Sequence, residues 1–288
     1  MSKKIKNIFF LILKVSVTIF IISCLVKKIG WQNILDSFRN FSITYIVLTC
    51  LLLLLSYVPL AYSYLPLLAS NGISVPYRRI FQDVFLVDVF RSFTPGSIGQ
   101  FYMIKLLAEY GITARDATAL FLFNRVLAYF VNAALGLLGF IIIIPEKKLL
   151  YFGAALVAVF FILFFIFHRI FASFRHYLSH ASKPAISCLF FHLLKSLLAG
   201  VSFYALFAGA GIHLPFWKIT LLTHSVILFT LIPISIDGLG IKEGAAVYLY
   251  ALLLVPEPLT FSVFFMFNII RYIMLITGLL LIKRKTDG

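Results

Sequence analysis

Apolar runs long enough to cross a bilayer recur from one end of this chain to the other, among them Ile43–Leu55, Leu135–Ile144, Leu149–Phe167 and Phe261–Ile282. A hydrocarbon core about 30 Å thick calls for about 20 apolar residues per spanning helix. With 62% hydrophobic and 12% charged residues and a mean hydropathy of +1.06, the chain has to be solvated by lipid, and no room is left for a soluble domain. The reading is an all-α, polytopic helical membrane protein forming a single integral membrane domain over 1–288, with spanning helices at 8–26, 42–68, 115–144, 149–167, 185–209 and 259–282.

Two stretches resist that pattern. Residues 80–111 and 217–255 each hold two apolar segments split by a cluster of Pro, Gly and Ser: Thr94-Pro95-Gly96-Ser97-Ile98-Gly99 and Pro233-Ile234-Ser235-Ile236-Asp237-Gly238-Leu239-Gly240. The pieces of the first are too short to span at 1.5 Å per residue, so both stretches read as re-entrant hairpins. Pro95-Gly96-Ser97-Ile98 aligns with Pro233-Ile234-Ser235-Ile236, and Phe121-Leu122-Phe123-Asn124 with Phe265-Met266-Phe267-Asn268. The predicted helix starts repeat at a similar offset, 8 with 149 and 42 with 185. This implies two half-repeats, 1–148 and 149–288, each of three spans and one hairpin; an odd number of crossings inverts the second half.

Charge gives that topology a test. The formal charge of +15 comes from scattered Lys and Arg with no nucleic-acid spacing, so nucleic acid is not expected as a partner and anionic lipid headgroups are. With the N-terminus inside, inside segments carry twelve Lys and Arg and outside segments six. The chain is therefore expected in a bacterial inner membrane with both termini cytoplasmic. Ile21-Ile22-Ser23-Cys24 resembles a lipoprotein cleavage box, but Lys14 interrupts the preceding segment and Lys27-Lys28 follow it, which favours an uncleaved first span. Cys24, Cys50 and Cys188 lie in apolar runs without a CxxC pair and read as packing residues.

A charge at membrane depth costs roughly 2.5–3.5 kcal/mol at a helix centre, so each needs a reason. Asp83, Asp88, Arg91, Lys105 and Glu109 flank the first break, Asp237, Lys242 and Glu243 the second, and Arg125, Lys195 and Arg271 fall in spanning helices. Asp83, Glu109 and Lys195 are read equally as structural ion pairs or as functional groups; Arg91, Arg125, Lys242, Glu243 and Arg271 are read as functional. A re-entrant helix starting near Gly99 or Gly240 is expected to turn unpaired amides and the positive end of its dipole into the membrane, which suits an anion. Ser97 and Ser235 would add hydroxyls, and Arg125 and Arg271 forked contacts to a phosphate. His176 and His180 are four apart but have no HExxH context, and no GxSxG, Walker loop or paired acidic metal motif occurs. No catalytic residue, metal or cofactor is expected.

Phe93-Thr94-Pro95-Gly96-Ser97-Ile98-Gly99 followed by Asn124-Arg125, then Pro233-x-Ser235-x-Asp237-Gly238-Leu239-Gly240-Ile241-Lys242-Glu243-Gly244 and Arg271, resembles the lysylphosphatidylglycerol synthase transmembrane family. The resemblance covers nearly the whole chain and implies a flippase-like membrane domain that moves aminoacylated phosphatidylglycerol between leaflets, the transferase residing in a separate cytosolic domain. Only six residues follow the last predicted helix, so a lysyltransferase label is not expected from these residues. Gln100 and Asn124 stand where that family often has acids, which points away from the lysylated lipid towards other phospholipids, polyprenyl-phosphate carriers or glycolipids. The expected binding set is Arg91, Pro95, Gly96, Ser97, Gly99, Arg125, Ser235, Asp237, Gly238, Gly240, Lys242, Glu243 and Arg271. The expected partner is a membrane phospholipid or polyprenyl-phosphate lipid; a separate cytosolic transferase subunit and a homo-oligomer stay open. The alternative is the membrane part of a phosphatidylglycerol lysyltransferase or other lipid-modifying synthase.

Overall fold

A computed structural model describes residues 3–143, 182–230, 235 and 237–281, and every described element is helical. Four helical segments are long and apolar enough to cross a membrane: Ile43–Ala69, Ala114–Ile143, Pro184–Gly209 and Glu257–Leu280. They coincide with four of the six predicted spans. The first prediction falls inside α1 (Lys3–Ile29); the one at 149–167 lies outside the described residues.

At Gly30, which takes φ 91°, the chain leaves α1 for α2 (Trp31–Arg39), and the pair is bent by 85°. The sequence reading had no helix here. α2 buries Ile34 and packs Phe38 at 6.2 Å from Phe265, while Trp31 and Arg39 stay exposed. An apolar face with a polar back suits a helix lying along the membrane surface. Lys28 pins the corner to Glu257 at 3.0 Å.

Next comes α3 (Ile43–Tyr62), with its one-turn continuation α4 (Leu65–Ala69). The first hairpin is α5 (Tyr77–Phe93), a 3-10 turn over Pro95–Phe101, and α6 (Tyr102–Ala108). α7 (Ala114–Ile143) follows. The later described helices are α8 (Ser182–Gly209), α9 (Phe216–Phe229), α10 (Ile241–Ala251) and α11 (Glu257–Leu281). Among the described helices α3, α5, α6 and α7 run long, shorter, short, long with a break after the second, and α8 to α11 follow the same order.

The helices meet through small residues, as lipid-embedded helices do when backbones must approach closely. α3 and α8 run antiparallel along their full length: the Ser42 amide donates to the Gly209 carbonyl (3.0 Å) at one end, and the Cys188 thiol reaches the Ser63 carbonyl (2.9 Å) at the other. α7 meets α9 at Gly136 and Gly139, where an added Cβ would come within 2.8 Å of Leu228 and 2.6 Å of the Ser225 hydroxyl. Ser225 also donates to the Gly136 carbonyl at 2.7 Å. α5 meets α11 with Gly278 seated against the Phe85 ring and Phe93 beside Tyr272. The helix before each break is thus held by a long helix from the other side of the sequence, α5 by α11 and α9 by α7. Outside this core, Leu48, Leu51, Leu54 and Leu55 on α3 and Ile273 and Ile276 on α11 are exposed as a lipid-facing surface requires.

Candidate functional site

Arg91 ends α5, and Arg271 sits midway along α11. Between them lie two carboxylates, Asp88 from α5 and Asp237 from the second break. Arg91 grips Asp88 through Nε and Nη2, both at 2.6 Å. Arg271 donates to Asp237 at 2.5 Å, lies 3.3 Å from Asp88, and also donates to the buried Ser92 hydroxyl. Arg91 reaches Asp237 at 3.7 Å, and the Tyr57 hydroxyl donates to Asp88 at 2.5 Å. Two cations and two anions therefore neutralise one another, and this quartet ties the end of the first hairpin's helix to the second break. Pairing of this kind offsets much of the cost of holding charges at membrane depth.

Beside the quartet lies a cavity of about 380 Å³. Tyr57, Ala128, Lys195 and Phe267, each near the midpoint of a spanning helix, line it together with Arg125, Lys242 and Ser235. Among the described residues no carboxylate oxygen lies within 4.0 Å of Arg125 or Lys195. Arg125 has the Phe121 ring 5.5 Å away, but its Nε is buried with no hydrogen-bond partner. Ser235, 3% exposed, has a hydroxyl in the same condition. Buried donors are nearly always satisfied, so orphans lining a cavity mark where something else binds.

The two breaks are built differently. In the first, the Gly99 amide donates to the Thr94 hydroxyl (2.7 Å), which donates in turn to the Phe90 carbonyl (2.6 Å). A Cβ on Gly99 would collide with the Phe90 carbonyl, so glycine is needed for the close approach, and its amide is already used. In the second, Asp237, Gly238 and Gly240 take φ 49°, 77° and 83°, left-handed backbone that glycine and, less often, Asp adopt. The Gly240 amide donates to Glu243 Oε2 (2.5 Å), so the start of α10 is capped by the protein's own carboxylate. Asn268 donates to Glu243 (2.5 Å) and accepts from Lys242 (2.5 Å), linking α10 to α11. Neither glycine offers the free amide expected of it.

Of the expected set, Arg91, Arg125, Ser235, Asp237, Gly238, Lys242 and Arg271 line the cavity. Glu243 is wholly buried behind it. The backbone of Pro95, Gly96 and Ser97 forms the 3-10 turn; their side chains lie outside what is described. Asp88, Tyr57 and Lys195 were not in the expected set. Lys195 and Asp88 carried the same signal as the residues that were chosen, an ionisable group at membrane depth. Tyr57 carried none, because a tyrosine in an apolar helix is ordinary. Asn124 is buried and donates to the Ser63 hydroxyl at 2.9 Å, leaving no acid next to Arg125 in sequence. Among the described residues no His/Cys/Asp/Glu group could hold a metal.

Residues 11–278 match the family described as the lysylphosphatidylglycerol synthase TM region. No curated protein matches the chain at a significant level.

Proposed function

From the premise that the chain belongs to the lysylphosphatidylglycerol synthase transmembrane family, a membrane family with a lipid-related role, we propose that it is a lipid translocase. It carries the headgroup of a phosphate-bearing lipid across the middle of a bacterial inner membrane, with both termini cytoplasmic. The observation that carries this reading is the mid-span cavity with Arg125 and Lys195 facing it and no carboxylate paired to either. An unpaired cation at this depth is costly, and a phosphate would offset that cost through charge-assisted hydrogen bonds. Arg125 and Lys195 hold the phosphate, Ser235 adds a hydroxyl, and the Asp88–Arg91–Asp237–Arg271 quartet joins the two breaks as the element that moves.

The antiparallel α3–α8 pair and the reciprocal packing of α5 on α11 and α9 on α7 support two inverted halves. Inverted halves supply two conformations of similar energy, one open to each leaflet. The test is leaflet exchange of a fluorescent phosphatidylglycerol in vesicles holding the purified chain. Arg125→Ala is expected to slow exchange about tenfold or more, the equivalent of one charged hydrogen bond. Exchange no faster than in empty vesicles, with the protein folded, defeats the translocase.

A further inference from the structure

The cavity is asymmetric in charge. Five cationic side chains line it, Arg91, Arg125, Lys195, Lys242 and Arg271, against the carboxylates Asp88 and Asp237. Both carboxylates are already engaged by cations: Asp88 takes contacts from Arg91 and Arg271 as well as Tyr57, and Asp237 a 2.5 Å bond from Arg271 and a longer, 3.7 Å contact from Arg91. The third acid nearby, Glu243, is spent on the Gly240 amide and Asn268. What remains is positive or neutral: the Arg125 Nε and the hydroxyl of the 97% buried Ser235 have no hydrogen-bond partner, and Lys195 has no carboxylate within 4.0 Å among the described residues. Gln100, Tyr129 and Asn132, also in the lining, are uncharged hydrogen-bonding groups.

From this asymmetry we propose that the ligand is a phosphate ester without an ammonium group, its remaining headgroup hydroxylated as in glycerol or a sugar. The proposal rests on the cavity being the lipid site and deepens it, since it sets the substrate class apart from the aminoacylated lipid for which the family is named. A phosphate satisfies Arg125, Lys195 and Ser235 together. Hydroxyls are accommodated by Gln100, Tyr129 and Asn132. A lysyl or ethanolamine headgroup would bring an ammonium next to two cations that have no carboxylate, and the two acids in the lining, Asp88 and Asp237, already have their charge balanced by Arg91 and Arg271. Specificity here comes from repulsion as much as attraction.

The test is competition for the purified full chain in detergent, read by native mass spectrometry on equimolar phosphatidylglycerol and lysyl-phosphatidylglycerol. The expected result is a preference for phosphatidylglycerol of about tenfold or more, as one misplaced charged contact implies. The double variant Arg125→Gln/Lys195→Gln should lose that preference while staying folded, because uncharged side chains replace unpaired charges in an apolar setting. A preference that persists in it belongs to the protein's basic surface and overturns the proposal, as does equal or tighter binding of the lysylated lipid by the unaltered chain. Lys195→Glu adds the missing acid and should shift the ratio towards the lysylated lipid by about tenfold. Glycerol 1-phosphate in excess separates the two sources of this chemistry: displacement of the lipid points to a soluble phosphate ester, retention to the lipid itself. Tight phosphatidylglycerol binding without leaflet exchange sinks the translocase and leaves this assignment standing. Rapid exchange of the lysylated lipid in preference does the reverse.

Discussion

The two breaks share a Pro-x-Ser-Ile pattern in sequence and little in construction. The first is an elbow closed on itself: a 3-10 turn, a threonine hydroxyl on a glycine amide, and a glycine pressed on the preceding helix. Of its residues described in full, only Gln100 reaches the cavity. The second is held open by left-handed backbone and by charge, and it delivers Ser235, Asp237 and Gly238 to the cavity, with Lys242 just inside the following helix. Similar motifs can therefore serve one as a support and the other as an equipped binding loop. What separates them is that the first is closed by neutral local hydrogen bonds, whereas the second is capped by the nearby carboxylate of Glu243 and tied through the Asp237 side chain to the distant Arg271.

On this contrast the second break depends on Arg271 through Asp237, whereas the hydrogen bonds within the first break do not involve it. Arg271→Ala should cost about 3–5 kcal/mol, the usual result of stripping one partner from a buried ion pair, and be read as a fall in melting temperature in detergent. Adding Asp237→Asn should return part of the loss, since one stranded carboxylate goes with it. No recovery would place the damage in packing.

Next in size are the glycines. Gly99→Ala should cost about 1–3 kcal/mol by overpacking against Phe90. Gly238→Ala should cost a similar amount from two causes, its positive φ (about 1–2 kcal/mol) and a Cβ 2.8 Å from the Thr230 methyl. Thr230→Ser removes only that methyl, so it should rescue Gly238→Ala in part and Gly99→Ala not at all. The last substitution separates support from binding: Thr94→Val deletes two neutral hydrogen bonds, one from the Gly99 amide and one to the Phe90 carbonyl, together worth about 1–2 kcal/mol, and should leave the lipid preference unchanged. A changed preference would mean that the elbow shapes the cavity.

The fold class and the two helix breaks were legible because the bilayer imposes a length rule on apolar runs, and the Pro/Gly/Ser clusters interrupt it. α2 escaped notice: nine residues with Asp36 and Arg39 read as a polar connector until α11 supplies Phe261 and Phe265 for its apolar face. At the site, sequence marked which charges sit at membrane depth but not which are neutralised. Arg271 and Arg125 look alike as isolated arginines in apolar helices. Only the folded chain brings Asp88, 183 positions away, to Arg271 and leaves Arg125 without an acid. The glycine amides were misjudged for a related reason, since a free helix start and one capped by Thr94 or Glu243 share the same composition.

The reciprocal embrace of the two hairpins bears on how the protein is made. Asp88 and Arg91 enter the membrane early, yet the guanidinium that completes their quartet is translated 183 residues after Asp88, roughly 10–40 s later at ordinary ribosome speeds. For that interval the nascent first half carries a half-finished charge cluster and an α5 without α11 to lean on. Its insertion is thus provisional until the C-terminal helix arrives, so a ribosome stalled before Arg271 leaves a product fit for quality-control proteolysis.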